Sequence, residues 1–169
     1  MLDQPNIEPV WLTSGREGFR LEAPWTYTWE VPATLETGGL ERQLRVTEGF
    51  LFDGASVPRI LWTLTGLIPS GHISAASLVH DLLYRYRGQL PPYSLFERPL
   101  GAAGWVVVEP RKARYSRKTA DRLFARIMRE SLVRPRQRRL AYCGVRLCGW
   151  WAWRRKRAPR QSTVLRGRP

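Results

Sequence analysis

His80 and Asp81 stand side by side in SAASLVHDLLYRYR, and Tyr84 follows His80 by four residues. Further on come Tyr115, then Ala120-Asp121 and Phe124. On a helix His80 and Tyr84 share a face, and Asp81 is turned about 100° to one side. If a second helix packs antiparallel to the first, Asp121 can accept the Nδ1–H of His80. That contact fixes the tautomer, leaves Nε2 as the base for a water and stabilises the imidazolium that forms. Asp81 is then left to ligate a hard cation such as calcium, completed by loop carbonyls. The cation would polarise an ester carbonyl and hold its oxyanion. Tyr84 or Tyr115 would support Asp121 by a hydrogen bond. The same residues also allow a plain structural pair, with His80 and Asp121 buried between two helices and Asp81 a surface acid.

The elements that must position these groups follow from pattern. Ala75, Leu78, Val79, Leu82 and Leu83 recur at three-to-four spacing and predict a helix over 74–87, with Ser74 as N-cap. Leu123, Phe124, Ile127, Met128 and Leu132 predict another over 116–132, N-capped by Ser116 or Thr119 and broken by Pro135. VPRILWTLTGLIP (57–69) reads as a short apolar helix, capped by Ser56 with Pro58 in its first turn. PWTYTWEVPA (24–33), LERQLRVTEGFLFDG (40–54) and WVVVEP (105–110) are strand candidates. Residues 1–20 read as a partly ordered lead-in, and 88–104 as loop. Helices do not alternate with strands, so the fold class is α+β: a small antiparallel sheet packed on a core of two or three helices. Residues 1–134 should form that domain, and 135–169 a basic, Trp-rich C-terminal helix or tail.

Charge divides the chain sharply. Residues 111–169 hold 20 of the 28 Lys and Arg and 2 of the 14 acids, and no acid follows Glu130. Such a region should seek phosphate groups on nucleic acid or lipid. Its last dozen residues read as a solubilising or disordered tail. The apolar run Leu140–Trp153 contains Arg146 and is too short to span a bilayer, which needs about 20 residues. Trp150, Trp151 and Trp153, followed by Arg154, Arg155, Lys156 and Arg157, suit a bilayer interface with indoles at headgroup level. The alternative is a last helix packed on the body or lying between subunits. Cys143 and Cys148 stand five apart without other ligands, which argues against zinc or a mutual disulfide and for two buried or lipid-facing thiols. No signal peptide is expected at the start.

The block Asp53-Gly54-Ala55-Ser56-Val57-Pro58-Arg59 has two readings. Asp53 and Arg59 could line a pocket near His80. Alternatively Asp53 and Ser56 cap the next helix, Gly54 turns the chain and Arg59 pairs with an acid. A nucleophilic Ser56 has no support, because the GxSxG elbow is absent. His72 reads as a loop residue.

SAASLVHDLLY and YSRKTADRLF resemble the paired helices of phospholipase A2, above all the compact parvovirus capsid type, which carries AAxxHDxxY and YNxADxxF. His80, Asp81, Tyr84, Asp121 and Phe124 match in order, over residues 74–86 and 115–128. The resemblance implies His80 as base, Asp121 as its orienting partner and Asp81 as calcium ligand. The glycine-rich calcium loop of those enzymes is not matched: TGLIPSGHI offers only Gly66 and Gly71. Nor are their paired cysteines present. A second resemblance spans residues 49–128: GFLFDGASVPR, HDLLY and ADRLF are similar to GFxxDxASVPR, HDxLY and RxxADxxF of a small phage and prophage family of unknown function. It implies a phage gene near tail or lysis genes.

Two functions from different classes follow. One is a phage hydrolase of phospholipase A2 type, docked to anionic membrane lipid by the basic Trp-rich region. The other is a non-catalytic virion component of head or tail, whose basic tail binds DNA or a neighbouring phage structural protein. A nucleic-acid binder as such rests only on charge, with tryptophans available to stack bases. Synthesis in the host cytoplasm is expected, with placement in the virion or at the inner membrane surface. Oligomeric state stays open.

Overall fold

The computed structural model describes residues 2–12, 17–33, 39–52, 71–112 and 114–154. The predicted helix over 57–69 lies outside the described residues, as do Asp53, Ser56, Arg59, Arg155, Lys156 and Arg157. The strands are β1 (Ile7–Trp11), β2 (Glu17–Leu21), β3 (Trp25–Val31), β4 (Leu40–Val46), β5 (Leu51–Phe52), β6 (Leu95–Pro99) and β7 (Val106–Val107). The described helices are α1 (Ser74–Arg85), α2 (Arg117–Glu130) and α3 (Pro135–Arg154). The fold is α+β, and the described strands form two antiparallel sheets rather than one, ordered β1-β2-β5 and β3-β4-β6-β7.

Two regions read as irregular form strands. Residues 1–20 contain the β1–β2 hairpin, in which Pro9 pairs with Phe19. β1 is an edge strand, where a proline's missing N–H is tolerated. The stretch 88–104 contains β6, which pairs with β4 and ends at Pro99. Cross-strand ion pairs support that register: Arg42 with Glu97 and Arg98 with Glu41, each at 2.5 Å.

β3 alternates as expected and turns Trp25, Tyr27 and Trp29 inward as a stack of rings. The Tyr27 hydroxyl donates to Glu130 Oε2 at 2.8 Å and so ties the four-stranded sheet to the end of α2. Burial, helped by Glu130, pushes that hydroxyl well above the usual phenol range, so it stays a donor.

α1 is buried from Ser74 to Tyr84 and runs through the core rather than over it. Ser74 is not its N-cap: that position falls to Ile73, whose side chain makes no capping bond. Instead Gln4 Oε1 accepts from the Ala75 N–H at 3.1 Å and from the Ser74 hydroxyl at 3.0 Å. The Gln4 amide also donates to Ser131 Oγ, just past α2. At the other end Gly88 has φ +74°, and its carbonyl accepts from the Tyr115 N–H at 2.9 Å. A Cβ at Gly88 would lie 1.8 Å from the Tyr115 carbonyl oxygen, so only glycine permits the approach. These ties join the start of α1 to the end of α2 and the end of α1 to the start of α2. The two helices therefore run antiparallel. Ser116 caps α2, its hydroxyl accepting from the Thr119 N–H at 3.1 Å. Pro135 does more than end the previous helix: it is the first residue of α3, where its missing N–H costs nothing.

Candidate functional site: a buried His-Asp pair held by three helices

The antiparallel packing of α1 on α2 brings His80 to Asp121, and both side chains are wholly buried. His80 Nε2 lies 3.0 Å from Asp121 Oδ1. This corrects the expectation that Nδ1 would meet the aspartate. The paired carboxylate makes Nε2 the donor, and a neutral ring then carries its lone pair on Nδ1. Nδ1 is buried and has no hydrogen-bond partner among the described residues. The imidazole is clamped between two rings, with centroids 4.1 Å from Tyr84 and 4.9 Å from Phe124.

Of the two tyrosines offered for Asp121, the structure uses one. Tyr84 Oη donates to Asp121 Oδ1 at 2.6 Å. Burial, then that bond, drives the Tyr84 hydroxyl far above the usual phenol range and keeps it a donor. Tyr115 is not bonded to Asp121. Its buried hydroxyl, without a hydrogen-bond partner among the described residues, faces the charges of Arg42 and Glu97. Burial pushes it up to about 12.

Asp121 has two further partners that pattern reading missed. Arg146 Nη1 donates to Asp121 Oδ2 at 2.7 Å, and Arg117 Nη1 stands 3.7 Å from the same oxygen. Arg117 also donates to the Arg146 carbonyl at 2.9 Å. Both left a trace in the sequence. Arg146 is the lone charge in the apolar run 140–153, and Arg117 precedes Asp121 by one helical turn. Burial would raise the Asp121 carboxyl, but hydrogen bonds from His80, Tyr84 and Arg146 outweigh it and hold the group below its ordinary 3.8. Asp121 is thus an ionised acceptor shared by three helices.

α3 reaches this network because its inner face is small. Ala141, Gly144, Val145 and Gly149 are its buried residues. A Cβ at Gly149 would come within 2.4 Å of Tyr84 Oη. Trp153, expected outward at a bilayer, turns inward and meets Tyr84 edge-on at 5.0 Å. Trp150, Trp151 and Arg154 are exposed. Both cysteines are free and exposed, not buried.

Asp81 is buried on α1 rather than a surface acid. Among the described residues no group of three or more His, Cys, Asp or Glu comes together to hold a metal ion. The oxygens of Asp121 are already taken by His80, Tyr84 and Arg146. Most of the loop whose carbonyls would complete a cation site beside Asp81, residues 65–70, lies outside the described residues. His72 sits exposed in the turn before α1. A cleft of about 500 Å³ opens where α2 begins and α3 ends, lined by Arg87, Arg114, Tyr115, Ser116, Arg117, Trp153 and Arg154.

The chain belongs to the family described as a protein of unknown function (DUF1353), whose model matches residues 20–145. Comparisons with curated proteins and with solved structures give no match.

Proposed function

We propose that this member of the DUF1353 family is a phage hydrolase of membrane phospholipid esters, with Nδ1 of His80 as its general base. The single observation that supports this is the buried Nδ1, without a hydrogen-bond partner among the described residues, on a ring whose other nitrogen is fixed by an ionised carboxylate. Buried polar atoms without partners are rare, and a catalytic role is one of the recognised reasons for them. In the proposed step Nδ1 takes a proton from a water whose oxygen attacks the ester carbonyl. The imidazolium then returns the proton to the departing alcohol as the carbonyl re-forms. Asp121 holds the ring through Nε2 and balances the positive charge while it lasts. Tyr84 fixes Asp121, and Arg146 and Arg117 fix its far oxygen. Because His80 is sealed from solvent, each turnover needs an opening that admits water and the ester.

The test is fatty-acid release from vesicles containing phosphatidylglycerol, in calcium-containing buffer, with purified full-length protein. Release above a protein-free control, and in proportion to protein, is expected. Its absence over a long incubation with folded protein would remove the hydrolase.

One observation favours a second reading. Two arginines lie against Asp121 Oδ2, so part of its charge is already balanced. In that reading the network is a clamp joining three helices in a non-catalytic head or tail component. The arginine-lined cleft and the basic tail would then contact DNA or a neighbouring phage structural protein. A fixed copy number in purified particles, without ester release, would favour it.

A further inference from the structure

α3 is built inside out for a helix that ends at its own core. Its small residues face inward, and its large apolar residues other than Trp153 face out. Leu140, Leu147, Trp150 and Trp151 are 52%, 75%, 50% and 51% exposed, and Cys143 between them is exposed too. Positions 140, 143, 147, 150 and 151 fall at helical spacing, so they form one stripe roughly 17 Å long. Arg136 and Arg139 stand exposed at one end of the stripe, and Arg154 at the other. The Arg154 guanidinium lies over the Trp150 ring at 5.3 Å. The only arginine drawn inward from the middle of the helix is Arg146, on Asp121.

We infer that this stripe docks the protein on an anionic phospholipid bilayer, with α3 lying in the headgroup plane. Charge selects that occupant over a second copy of the chain. α3 carries no acid, and the chain has none after Glu130. Pairing two stripes would therefore set arginines against arginines without counter-charge. Trp150 and Trp151 could stack on bases, but Leu140, Cys143 and Leu147, the greater part of the stripe, offer a nucleic acid neither stacking nor hydrogen-bonding groups. A bilayer of acidic lipid supplies both partners the stripe lacks, acyl chain for Leu140, Leu147 and the indoles, and phosphate for the arginines. The helix lies on the membrane rather than through it: no described helix is long and apolar enough to cross one. Its opposite face touches Tyr84 and Asp121, so one helix links the docked surface to the buried pair.

This docking rests on the exposed face of α3, and the hydrolase reading only gives it a purpose. The test is flotation of the full chain with vesicles of phosphatidylcholine alone or with added phosphatidylglycerol. Binding to the anionic vesicles is expected, weakened by salt, and at least tenfold tighter than to the neutral ones. Leu147→Glu/Trp151→Glu should lose at least tenfold in vesicle binding while keeping the wild-type thermal melt, since both sites are exposed. His80→Gln should bind vesicles like wild type, so failed hydrolysis with intact binding separates the two claims. Unchanged vesicle binding by the double variant would overturn the docking. So would a wild-type dimer that the double variant abolishes, or DNA retention that it loses while vesicle binding persists.

Discussion

Asp121→Ala is expected to cost about 3–5 kcal/mol of stability, the range for removing one partner of a buried ionic group. The carboxylate receives His80, Tyr84 and Arg146 directly, with Arg117 close by. Its loss leaves two buried donors without an acceptor and frees α3 from α1 and α2. Asp121→Asn keeps one acceptor oxygen and should cost less. Urea unfolding at neutral pH measures both, and a loss below about 1 kcal/mol for the alanine variant would show that the helices do not depend on this group. The pH dependence has a definite sign. The folded Asp121 is held below its ordinary 3.8, so its contribution is present above that value and is lost as pH falls through the folded pKa. The gap between wild type and Asp121→Asn should therefore narrow in acid and be constant from mildly acidic to neutral pH.

His80→Gln should lower ester release by about 10²–10⁴-fold, the usual contribution of a positioned general base. Glutamine is chosen because its amide can still donate to Asp121 Oδ1, whereas nothing replaces the lone pair of Nδ1. The variant should keep most of its stability and lose the chemistry. Alanine would blur that distinction by leaving Asp121 short of a donor and opening a cavity between Tyr84 and Phe124. Steady-state release from the same vesicles gives the ratio. Activity within about threefold of wild type would place the base elsewhere.

The helix pair was legible because its apolar residues repeat at helical spacing on segments with clear ends. Tyr84 stands one turn from His80 in any helix, and Asp121 follows once the helices run antiparallel. Which nitrogen of His80 meets Asp121 was not legible. That depends on the side-chain rotamer and on how deep α2 sits against α1, and spacing along the chain carries neither. The β1–β2 hairpin and β6 were hidden by prolines that read as breakers but fall on an edge strand or at a strand end. Arg146 was visible as an odd charge in an apolar run. Its purpose appears only when Gly149 is seen to let α3 close on Tyr84. The same closeness turns Trp153 inward and leaves Trp150 and Trp151 outside.

The proposed chemistry depends on one proton: the one that must sit on Nε2 of His80 and not on Nδ1. Long-range ¹H–¹⁵N correlation spectra of the histidine rings at neutral pH read that directly, with His80→Gln assigning the signals. The expected result is the Nε2–H tautomer for His80, with Nδ1 unprotonated and shifting when a substrate analogue is added. An Nδ1–H tautomer would contradict it, because the ring would then have no lone pair where the ester must react.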